Sequence, residues 1–169
     1  MYFIARQSNI LLSSIKMKKM KKGILLMVIS FVSAFSFGQM TDYNLQKEYV
    51  AGGYDVVSYF DNLATKGKNN LIVDFDGAKF KFLSQSNLDK FKTNPSKYIP
   101  QYGGWCAYAL ATKNEKVGIN PETFEIRDGK LYLFYNKYFN NTLESWLKEM
   151  PDKLVQTANN NWNKIKYVN

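Results

Sequence analysis

Two Asp-Gly pairs, Asp76-Gly77 and Asp128-Gly129, constrain this chain more than any other feature, because each sits between two short runs of alternating apolar and polar residues. Asp-Gly tolerates the positive φ angles of a type I′ turn, whose twist matches that of two antiparallel strands. The pattern therefore predicts a hairpin pairing residues 71–75 with 79–83, and a second pairing 123–127 with 130–135. In the first, Phe80 and Phe82 share one face while Lys79 and Lys81 share the other.

Helical signals alternate with these strands. Ser84 is an N-cap candidate, Leu88 and Phe91 lie three apart, and Asn94-Pro95 ends the segment. Leu143, Trp146, Leu147 and Met150 repeat at helical spacing, Pro151 breaks or restarts the helix, and Leu154, Val155, Ala158 and Trp162 continue an apolar stripe. The expectation is an α+β domain: a small antiparallel sheet of two hairpins with packed helices and a C-terminal helical segment.

The chain has 169 residues, and its net charge of +9 is concentrated at the start. Six of the 23 basic residues and none of the 14 acidic ones precede Gln39, which leaves 17 basic against 14 acidic groups in the rest. That near balance, with no basic stripe interleaved with aromatics, argues against a nucleic-acid partner. Lys18 to Lys22 is followed by an uncharged apolar run from Gly23 to Phe37, then Gly38-Gln39. The run is about 15 residues, shorter than the ~20 that span a bilayer, and Ser36 and Gly38 lie three and one before Gln39, as at a signal-peptidase site. Residues 1–38 are thus expected to be a signal peptide, with 1–16 an over-extended start if translation begins at Met17 or Met20. The domain is then 39–169, exported to the periplasm or extracellular space. A retained signal segment is the expected route to any membrane attachment.

The absence of His removes Ser-His and Cys-His catalysis and His-ligated metals, and a single Cys removes disulfide frameworks and thiolate clusters. Cys106 stands in Gly103-Gly104-Trp105-Cys106, with Tyr102 and Tyr108 beside it. Three readings fit it: a small buried hydrophobe, a reactive thiol or ligand for copper or another soft metal ion, and an intermolecular disulfide. Asp55 has two, the cap of a short helix and a member of a site. The candidate ligand-binding set is Tyr54, Asp55, Trp105, Cys106 and Tyr108, on two glycine-rich segments expected to form one cleft. A rival, mechanical reading has the glycines letting loops cross.

The motifs Gly53-Tyr54-Asp55-Val56-Val57-Ser58-Tyr59-Phe60 and Tyr102-Gly103-Gly104-Trp105-Cys106-Ala107-Tyr108, with the aromatic framework from Phe75 to Tyr98, resemble those of exported YHS-domain proteins. The resemblance spans roughly residues 49–165. Related YHS domains of heavy-metal proteins carry two cysteines at the positions held here by Leu83 and Asn87, neither of them a soft ligand. The leading expectation is a non-enzymatic exported binding module, for a small molecule or a soft metal held partly by Cys106, with no catalytic residue assigned. A structural or interaction domain of the envelope is the alternative. A thiol-dependent enzyme is a third class, in which Cys106 has neither a His base nor a resolving Cys.

Overall fold

The computed structural model describes residues 42–168. The signal peptide and start-site expectations lie outside them. Strands β1 (Leu45–Gln46) and β2 (Tyr49–Val50) lead into a one-turn 3-10 segment at Ala51–Gly53 and another at Ser58–Asp61. Strands β3 (Ile72–Phe75) and β4 (Ala78–Lys81) follow, then helices α1 (Gln85–Thr93), α2 (Pro95–Tyr98) and α3 (Ala107–Lys113). Strands β5 (Asn120–Arg127), β6 (Lys130–Phe134), β7 (Asn136–Lys137) and β8 (Asn140–Asn141) precede helices α4 (Thr142–Lys148) and α5 (Pro151–Ile165).

Both Asp-Gly pairs form the expected turns, with φ of 49° and 73° at Asp76 and Gly77 and 50° and 69° at Asp128 and Gly129. The pairings run Ile72 to Lys81 and Arg127 to Lys130. The Ser84 hydroxyl caps α1 by accepting from Asn87 N at 3.2 Å, and Pro95 opens α2 where α1 stops. The α+β class holds, but the two hairpins do not share one antiparallel sheet. The free edge of β4 is taken by β2, which runs parallel to it through Tyr49 and Lys79, and the sheet order is β1-β2-β4-β3. With that edge closed, β5 and β6 form their own two-stranded sheet.

β6 is the wall between two cores. Successive strand side chains point to opposite faces. Leu131 and Leu133 accordingly join the core of Phe80, Phe82 and Phe91, while Tyr132 and Phe134 join that of Leu110, Trp146 and Ala158. The first core is bound by aromatic contacts, with Phe91 at 4.8 Å from Phe80 and 5.0 Å from Phe82 between ring centroids. In the second, Trp146 is fully buried and its indole N–H donates to Glu125 Oε2 at 2.8 Å.

The expected α4 stripe is shorter than its spacing suggested. Leu143 and Trp146 pack inward, but Leu147 is 54% and Met150 63% exposed. Helix α4 ends at Lys148, Met150 turns the chain at φ 37°, and Pro151 starts α5. The stripe in α5 packs as expected, through Leu154, Val155, Ala158 and Trp162.

Candidate functional site

Asp55 is fully buried, and every polar atom it carries is used. Its Oδ1 accepts from Val57 N at 2.9 Å, and its Oδ2 accepts from Leu83 N at 2.8 Å and Asn87 Nδ2 at 2.7 Å. Its backbone N–H donates to Thr65 O, and its carbonyl accepts from the Ser58 N–H and hydroxyl. A carboxylate with three donors is well compensated for burial, so Asp55 pins the 53–58 loop to the start of α1. Two of the three donors come from Leu83 and Asn87, the positions that the YHS resemblance gives to thiols. An amide donating to a carboxylate does not offer a soft metal a donor pair, so a metal site of that design does not fit here.

Tyr54 faces the other way. Its hydroxyl donates to Glu122 Oε1 at 2.8 Å, and this bond, ahead of burial, holds the phenol above its ordinary pKa.

Cys106 is also fully buried, at the N-terminus of α3, and bridges in parallel to Leu133 of β6. Its sulfur lies 3.4 Å from Thr142 Oγ1 and accepts from Tyr135 N at 3.3 Å. Thr142 Oγ1 itself donates to the Tyr135 carbonyl at 2.8 Å, which can only accept. The Thr142 proton is therefore spent. The remaining bond of the ring therefore runs from the Cys106 thiol to Thr142 Oγ1.

Trp105 and Tyr108 flank this thiol in sequence but differ in setting. The Trp105 indole N–H is buried with no hydrogen-bond partner among the described residues. Tyr108 donates to Glu149 Oε1 at 2.8 Å, and that bond is the main cause of its raised pKa.

A pocket of about 490 Å³ lies over the thiol, lined by Cys106, Tyr108, Lys113, Tyr135, Asn140 and Thr142 among others. Of the five expected site residues it gathers Cys106 and Tyr108 and leaves Tyr54, Asp55 and Trp105 off its lining. Cys106 and Asp55 have separate sets of hydrogen-bond partners, so the cleft expected to unite them gives way to two separate nodes. Sequence reasoning missed Lys113, Tyr135, Asn140 and Thr142, which come from the end of α3, the residue after β6, β8 and the start of α4. No local motif marks them.

The glycines beside Cys106 have a mechanical use. Gly103, at φ 60°, lets residues 42–44 cross it: Asn44 N donates to Gly103 O at 2.9 Å, and a Cβ at Gly103 would run into the Asp42 carbonyl. The Asn44 carboxamide donates to Gly104 O at 3.0 Å. The crossing partner is thus the segment ahead of β1 rather than the Gly52–Asp55 loop.

No protein-family model, curated protein or solved structure matches the chain. Among the described residues, no three His, Cys, Asp or Glu side chains stand together as a metal site, and no helix is long and apolar enough to cross a membrane.

Proposed function

We propose that residues 39–169 form an exported, non-enzymatic binding module of YHS type, whose ligand is a small organic molecule with an anionic group held in the pocket over Cys106. The observation that carries this reading is the set of uncommitted polar groups on the lining. The Lys113 ammonium, the Asn140 carboxamide and the Tyr135 hydroxyl make no hydrogen bond or ion pair among the described residues. Nearby Ala109 and Val117 supply apolar wall. A cation, an amide and a phenol beside apolar surface suit a carboxylate on a flat or aliphatic body, and the volume is in the range of small-ligand pockets.

The thiol is the floor of this pocket and fills a structural role there, fully buried and hydrogen-bonded to both Thr142 and Tyr135. The same engagement weighs against the soft-metal and thiol-enzyme alternatives. The test is calorimetric titration with benzoate and succinate beside benzamide. Binding of a carboxylate that weakens in Lys113→Met supports the reading. Failure of all three probes, or Cu(I) binding that depends on Cys106, overturns it.

A further inference from the structure

The β7–β8 hairpin turns at Tyr138 and Phe139, both in the left-handed region at φ 52° and 63°. Tyr138 is 78% exposed and Phe139 fully exposed. Three other turns of the same backbone type carry Lys47-Glu48, Asp76-Gly77 and Asp128-Gly129. Those residues either tolerate positive φ or belong in water. Two adjacent aromatic residues do neither: a bulky side chain disfavours left-handed backbone, and an exposed ring gains nothing from burial. The turn geometry is met by Asn-Gly elsewhere in proteins, so the turn itself does not call for these rings.

We propose that this tip is a lipid-contact element, in which Tyr138 and Phe139 enter the interface of a membrane carrying anionic phospholipid headgroups. The rings stand at the turn of the hairpin and are exposed, so no shape-matched partner is needed to cover them. Beside them Lys137 and Asn140 are exposed, while the Asn136 and Asn141 carboxamides are bonded within the protein, to Thr123 and Glu144. Aromatic rings settle at the boundary of acyl chains and headgroups, with amides and a cation at headgroup depth. The charge also fits. Residues 136–141 hold one cation and no acid, the Lys137 ammonium lies 4.5 Å from the Tyr138 ring centroid, and residues 39–169 carry a net positive charge. The nearest acid in sequence, Glu144, sits at the base of the hairpin, where it accepts from Asn141 Nδ2. The tip shares Asn140 with the lining of the ligand pocket, but Tyr138 and Phe139 lie off that lining.

The experiment uses the full chain with vesicles of phosphatidylglycerol and phosphatidylcholine that carry a paramagnetic lipid. Amide signals of residues 137–140 should broaden more than those of any other described segment, and more strongly with the anionic lipid. The double variant Tyr138→Asn with Phe139→Gly should lose that broadening and lower partitioning attributable to the tip by about tenfold, since interfacial binding scales with buried apolar area. Because the replacements suit the turn, the variant remains folded, and its loss of binding cannot be ascribed to unfolding. Unbroadened tip amides, equal partitioning of the variant, or self-association abolished by the variant in the absence of lipid would each overturn the proposal.

Discussion

The carboxamide of Asn87 donates a 2.7 Å hydrogen bond to the buried carboxylate of Asp55, tying a loop near the start of the domain to the first turn of α1. The bond explains how a fully buried acid is kept without a basic partner among its contacts. Asn87→Ala would remove the one side-chain donor among the three donors to this carboxylate and leave it less compensated. A loss of about 1–3 kcal/mol is expected, read as a lower midpoint in urea denaturation. Asp55→Ala, which strands Leu83 N and Asn87 Nδ2 together, should cost more than Asn87→Ala. The reverse order would mean that Asp55 contributes little.

Cys106→Ala and Cys106→Ser should separate space-filling from hydrogen bonding. Alanine leaves a cavity and strands Tyr135 N, while Thr142 Oγ1 keeps its bond to the Tyr135 carbonyl, for a loss of about 2–4 kcal/mol. Serine keeps a donor and an acceptor and should lose less. In native protein the thiol should resist an aromatic disulfide reagent and react once urea unfolds the chain. Rapid reaction in the native state would contradict the closed ring of bonds.

Stability should fall at alkaline pH through buried tyrosines. Burial, ahead of the fields of Tyr54, Glu122 and Asp55, pushes the Tyr59 hydroxyl well above its ordinary value, and burial does the same for Tyr102. A pKa raised in the folded state means that the unfolded chain releases its proton first, from about pH 10. The contribution is therefore whole below that pH and declines as pH rises from there toward the folded value. Tyr59→Phe loses the 2.7 Å bond to the Pro121 carbonyl, about 1 kcal/mol at pH 7, yet its stability should decline less steeply above pH 10. Parallel curves for the two proteins would refute the assignment.

Phe139→Gly should stabilise the protein by about 1 kcal/mol, because glycine occupies φ 63° without the penalty of a β-carbon. Thermal unfolding measures this directly. A lower melting temperature would indicate that the Phe139 ring packs in solution.

The turns, the Ser84 cap, the Pro151 restart and the facing of Phe80 and Phe82 were legible in the sequence, since each depends on residues within a few positions of one another. The partnership of the hairpins was not. Which strand closes the edge of β4 depends on Tyr49 meeting Lys79 from 30 positions away, and no local pattern encodes it. The same distance limit governs the site. Asp55 and Cys106 were recognisable as residues out of keeping with their surroundings, but their meaning lay in partners far along the chain. Asp55 is satisfied by Leu83 and Asn87, and Cys106 by Tyr135 and Thr142. Local backbone preferences are set by neighbours in the chain and can be read one segment at a time. Burial and hydrogen-bond satisfaction are set by whatever the folded chain brings alongside, and here only the tertiary structure decided that the two residues serve separate nodes.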